Sequence, residues 1–156
     1  MKVSFYELAA KADHATDSDA QGNIDDVLSE KGIALIAEFY SKRQYLTLVC
    51  ADKTQAEWVD EYIWRQPAER FIAHNLQGEG PKNGSPVEIT WLEQLDTHPV
   101  RNKKVVINLA ECHLAQFAAF HHLIDFVPSD EARKAQARER YKQYKQAGCD
   151  MRFINA

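Results

Sequence analysis

Two rhythms of apolar and polar positions take turns along this chain. Residues 2–7, K-V-S-F-Y-E, read as an opening strand, and 45–50, Y-L-T-L-V-C, form a continuous apolar run of the kind buried on both faces of a sheet. Between them Ile24, Val27, Leu28, Leu35 and Phe39 recur at partly helical spacing after Asn23, an N-cap residue type, which predicts a helix over 23–41. A second helix is predicted over 53–64, with Ala56, Val59 and Ile63 on its inner side. Short strands are expected near 71–73, 87–91 and 104–108, a helix over 112–122, a brief strand at 124–127 and a last helix over 129–147. Gly148 suits the position after that helix, where the backbone turns left-handed. Strands alternating with helices imply a mainly parallel central sheet covered on both faces, an α/β fold of three layers, α/β/α.

Composition adds bounds. The chain has 156 residues, 45% hydrophobic and 27% charged, which is ordinary for one globular domain spanning 1–156. It contains no internal repeat and no Pro-, Gly- or Ser-rich linker that would split it. No apolar run approaches the ~18 residues of a membrane span. The start, Met1 to Tyr6, turns polar too quickly for a signal peptide. Cys50, Cys112 and Cys149 are odd in number and widely spaced, which suits reduced thiols and a cytoplasmic location. The net charge of −4 gives no overall attraction to nucleic acid.

A glycine-rich segment, Gly78 to Gly84 with Lys82 inside it, invites a phosphate-loop reading. Such a loop needs a lysine directly after its last glycine and a helix behind it, so that backbone N–H groups and the helix dipole meet the phosphates. Here Ser85 and Pro86 follow Gly84, and V-E-I-T-W continues as a strand. Gly-Glu-Gly-Pro and Asn-Gly are read instead as consecutive turns. The first strand-to-helix turn holds only Gly22, so the dinucleotide fingerprint is missing too. The fold expected is therefore Rossmann-like without a nucleotide-binding loop, and no cofactor is expected.

The acidic run Asp13, Asp17, Asp19, Asp25 and Asp26 lacks calcium-loop spacing and reads as a solvated loop. His113 and His121, eight residues apart on a predicted helix, share a face with Cys112 and Asp125 nearby, but no second cysteine pair completes a zinc site, and no metal is expected. His74 beside Asn75 has no serine or cysteine nucleophile near it in sequence, so a structural hydrogen bond is its expected role. Nothing here assembles a catalytic site.

The last helix points to a partner. Between Ser129 and Ala147 six basic residues stand against three acidic ones, a local +3 that leaves −7 for the rest of the chain. Lys134, Arg138, Tyr141, Lys142 and Lys145 follow one another at spacings that share a helical face. A basic stripe carrying an aromatic suits an acidic peptide, and equally a phosphate backbone or a plain solvated face. Trp64, at the end of a helix before Arg65-Gln66-Pro67, and Phe71 are further candidates for interface anchors.

The central block W-x-x-P-A-E-x-F-x-x-H-N-L-x-G-E-G-P-x-x-G-x-P-V-E-I-x-W, from Trp64 to Trp91, resembles the chi subunit family of bacterial DNA polymerase III. A second block, Asp125-Phe126-Val127-Pro128 and Ala137-Arg138-Glu139-Arg140-Tyr141-Lys142 with Tyr144, is similar to the same family. Residues 8–32 and 92–103 depart from it.

The resemblance implies a non-catalytic replisome adaptor, tied to polymerase activity only through membership of the holoenzyme. Its implied partners are the psi subunit, which joins the clamp loader, the acidic C-terminal tail of single-stranded DNA-binding protein, and a repair helicase competing with psi. By that resemblance Val127, Lys134, Arg138, Tyr141 and Lys142 bind the tail, while Trp64 and Phe71 face psi or the helicase. DNA contact would then be indirect. The alternative is a direct single-stranded nucleic-acid-binding module, against which the overall acidity counts.

Overall fold

The computed structural model describes residues 2–8, 27–65, 74–76, 86–97, 104–114 and 120–155. Seven strands form one sheet: β1 (Lys2–Glu7), β2 (Leu46–Cys50), β3 (His74–Leu76), β4 (Val87–Trp91), β5 (Val105–Asn108), β6 (His122–Val127) and β7 (Asp150–Ile154). They lie in the order β3-β4-β2-β5-β6-β1-β7, and every pair is parallel. Parallel pairing requires crossovers, and the described ones include helices α1 (Ile33–Ser41), α2 (Lys53–Trp64), α3 (Leu92–Thr97) and α4 (Glu131–Gln146). The fold is α/β, as the alternation of the two rhythms predicts.

Local chemistry explains the main boundaries. Asp52 caps α2 by accepting the Gln55 N–H at 2.8 Å, while the Gln55 side chain accepts the Ala51 N–H at 2.7 Å, a reciprocal arrangement that uses donors the helix start leaves over. Ala56, Val59 and Ile63 are the apolar residues α2 buries, the three its spacing selects. Asp130 caps α4 through the Arg133 N–H at 3.0 Å, and Gly148 takes φ +89° after it. A single π-helical turn, Leu28–Gly32, leads into α1.

Two apolar clusters lie on opposite faces of the sheet. One gathers Leu28, Ile36, Leu48, Val59, Ile89 and Ile107 among others under α1 and α2. The other holds Val3, Phe5, Val106, Leu123, Ala137 and Tyr144 under α4. Strand β2 feeds both faces and is buried at all five positions, as expected of a central parallel strand.

Three expectations are corrected. No helix spans 112–122: among the described residues, 112–114 and 120–121 are irregular and His122 already opens β6. The physical reason lies at its start, where one carbonyl is already engaged and the backbone just before it turns left-handed. Asn108 Nδ2 donates to the Cys112 carbonyl at 2.8 Å, the Leu114 N–H donates to the Tyr144 hydroxyl at 3.1 Å, and Glu111 sits at φ +57°. The strand expected at 124–127 consequently begins two residues earlier. Finally, α3 and β7 arise where no element was expected. The expected strand at 71–73, the glycine segment, the acidic run 13–26 and Phe71 lie outside the described residues.

Candidate functional site

Register decides which residues meet beside α4. In parallel pairs, residues in register point to the same face of the sheet. Glu7 pairs with Val127, and Phe5 pairs with Asp125 on one side and Phe153 on the other. Phe5, Asp125 and Val127 contact or lie beside α4, so Glu7 and Phe153 share that face. The chain thereby carries one aromatic, one aliphatic and one acidic side chain from three adjacent strands to the flank of a helix.

A cavity of about 260 Å³ opens there. Buried Val127 and Ala137 form its apolar base, Tyr141 and Phe153 its aromatic walls, and Lys134, Arg138 and Glu7 complete the lining. Tyr141 stands edge-on to Phe5 at 5.3 Å between centroids, and Phe153 stands edge-on to Tyr141 at 6.5 Å. Lys142 follows Tyr141 on the exposed side and is not part of the lining.

The helix divides its cations into two groups. Arg140 is buried and donates from Nε and Nη2 to the two Asp125 oxygens, each at 2.9 Å, and from Nη2 to the Phe126 carbonyl at 3.3 Å. Asn108 adds a donor to Asp125 at 3.2 Å. Arg133 grips Glu111 with Nε and Nη2. Among the described residues, Lys134, Arg138 and Lys142 form no ion pair, so their charge is available to a ligand. The exposed Lys145 of the basic stripe read from the sequence likewise forms no ion pair among the described residues, whereas Arg133 and Arg140, outside that stripe, are structural.

Burial pushes the Asp125 carboxyl above the usual carboxylate range, opposed chiefly by the Arg140 charge and its hydrogen bonds. Against the cost of its own burial, Arg140 is lifted above its ordinary value by that carboxylate. The result is a pinned helix whose outer flank carries the unpaired cations.

The other candidates sit elsewhere. Trp64, 54% exposed, ends α2 on the far side of the sheet order, its ring 5.0 Å from that of His74. His74 Nε2 lies 3.1 Å from the Asp60 carbonyl and 3.2 Å from its carboxylate, so it ties β3 to α2 as a structural group. His113 stacks on Tyr144 at 4.8 Å and His122 bonds Ser4, so these histidines serve packing and the sheet. Sequence reasoning missed Glu7 and Phe153. Phe153 carried a signal, because D-M-R-F-I alternates polar and apolar positions in strand fashion. Glu7 carried none, since its neighbour across the sheet is 120 residues away.

Residues 1–152 match the family model described as DNA polymerase III chi subunit, HolC, a match that stops one residue short of Phe153. The chain is 36% identical over 150 residues to the DNA polymerase III subunit chi of Escherichia coli K12, covering 96% of this chain and 94% of that one. It is 35% identical over 122 residues to the subunit of the same name from Haemophilus influenzae, covering 78% and 82%. With a single parallel α/β sheet and a family match along nearly its whole length, the chain belongs to the DNA polymerase III chi subunit family.

Proposed function

We propose that this chain is a non-catalytic adaptor of the bacterial replisome, acting in the cytoplasm as one chi-like domain over 1–156. Its α4 flank holds the acidic C-terminal tail of single-stranded DNA-binding protein. A second surface around Trp64 and Phe71 receives the psi subunit, which joins the clamp loader, or a repair helicase that competes with psi. No helix among the described residues is long and apolar enough to cross a membrane, which fits a partner in solution.

One observation carries the reading: Val127, Lys134, Arg138 and Tyr141, four of the five residues expected to bind the tail, line a single cavity. Its volume, about 260 Å³, falls below the roughly 300–1,000 Å³ of small-molecule sites. It suits one side chain of a peptide. The Arg138 guanidinium offers a planar pair of donors that matches a carboxylate, here the tail's terminal one. Val127 and Tyr141 wall the space for the terminal ring. Lys134 and Lys142 attract the acidic residues upstream, a contribution that salt screens.

The test is fluorescence anisotropy of a labelled acidic peptide ending in phenylalanine, titrated with wild type and Arg138→Ala. Arg138 is exposed, so its loss leaves the fold intact. Saturable binding, weakened at least about tenfold in the variant and by added salt, is expected. A folded wild type that ignores the peptide sinks the reading. Tight binding of a single-stranded oligonucleotide in its place, with a steep salt slope, would favour a nucleic-acid-binding module.

A further inference from the structure

Strand β7 is the edge of the sheet, hydrogen-bonded only to β1 among the described strands. Edge strands ordinarily protect themselves with charge, and Asp150 and Arg152 do this at alternate positions. Phe153 does the opposite. The residue is 46% exposed, yet it stands on the α4 face and lines the cavity described above. Register accounts for its place: Phe153 sits beside Phe5, Phe5 supports Tyr141 edge-on, and Tyr141 meets Phe153 at an interplanar angle of 70°. The buried Phe5 ring thus supports Tyr141, and Tyr141 in turn meets Phe153.

Aromatic rings favour such edge-to-face neighbours at centroid separations of about 4.5–7 Å. Tyr141 has Phe5 on one side, and the exposed part of Phe153 has no such cover. The space beside both rings is apolar at its base through Val127 and Ala137, and charged at its margin, cationic through Lys134 and Arg138 and acidic through Glu7. A ligand that uses both the rings and the cations places a ring against Tyr141 and Phe153 and a carboxylate within reach of Arg138. Both groups belong to one residue only when an aromatic amino acid ends a chain.

We propose that Phe153 is a specificity-determining residue of this site, closing the pocket so that it selects an acidic peptide with a C-terminal aromatic residue. The inference rests on the tail-binding reading and adds to it a wall that lies on β7, one residue beyond the family match. A flat helix flank with Tyr141 alone would hold an aliphatic end almost as well. Two rings set edge-to-face reward a third.

Two labelled acidic peptides test this, identical except for a C-terminal Phe or Ala, each titrated by anisotropy with the full chain. The proteins are wild type, Phe153→Ala and Phe153→Leu, with circular dichroism to verify folding. Phe153→Ala is expected to weaken the Phe-ended peptide about tenfold and to leave the Ala-ended one within about twofold, with Phe153→Leu in between. Loss of less than about twofold for the Phe-ended peptide overturns the proposal while leaving the tail reading standing. So does an equal loss for both peptides. Failure of folded wild type to bind either peptide overturns both.

Discussion

Arg140 and Asp125 form an ion pair inside the protein, with side chains 4% and 1% exposed and two hydrogen bonds of 2.9 Å. Asp125 lies in the middle of β6 and Arg140 in α4, so the pair fixes how the helix is rotated on the sheet. At ~100° per residue, Tyr141, Lys134 and Arg138 then fall roughly 100–160° round from Arg140. That is the flank where the cavity opens. The pair thus connects a packing decision to the direction in which the binding candidates point.

Arg140→Met should cost about 3–5 kcal/mol of stability, because it strands a buried carboxylate that no other cation reaches among the described residues. Adding Asp125→Asn should recover part of the loss, since an amide leaves no stranded charge. Urea denaturation of both variants measures this. A loss below about 1 kcal/mol in the single variant would show that this pair contributes little to holding the helix.

This pair also marks where the sequence stops being legible. Strands β1, β2, β4 and β5 and helices α2 and α4 announce themselves through runs, spacing and caps, all of which act within a few residues. The shared flank of Lys134, Arg138 and Tyr141 follows from helical spacing for the same reason. Arg140 and Arg133 count equally as cations in the sequence, and only long-range pairing with Asp125 and Glu111 removes them from the surface. The helix expected at 112–122 fails at its start, where Asn108 takes the Cys112 carbonyl, Glu111 turns left-handed and Tyr144, 30 residues away, holds the Leu114 N–H. Glu7 and Phe153 join the cavity through strand register, which no local pattern encodes.

Glu7 lines the cavity beside Lys134 and Arg138, an acidic group in a site that we assign to an acidic peptide. In that assignment its carboxylate would repel the peptide's acidic side chains and keep them out of the cavity, leaving room for the apolar end. Glu7→Gln should therefore tighten binding of the Phe-ended peptide about two- to fivefold at low salt, with the gain shrinking as salt rises. Anisotropy titrations at two ionic strengths measure it. Unchanged or weaker binding at low salt would mean that Glu7 does not face the bound peptide.

His122 opens β6, shares a hydrogen bond with the Ser4 hydroxyl at 2.9 Å and meets the ring of Phe39 edge-on at 6.4 Å. Burial lowers its affinity for a proton, and the positive charges of Lys2 and Arg152 lower it further. The folded-state pKa thus lies below the unfolded value of about 6.5. Above that value both states hold a neutral ring and stability is unaffected. As pH falls through it, the unfolded chain binds the proton first, so stability declines until the folded form is also protonated. Wild type should therefore lose stability as pH falls through and below about 6.5 more steeply than His122→Gln, whose amide keeps a partner for Ser4. Carboxylates titrating near the lower end affect both proteins alike and cancel in the difference. Urea midpoints at four pH values decide the matter: parallel slopes for the two proteins would show that His122 stays solvated enough to bind its proton in the folded state.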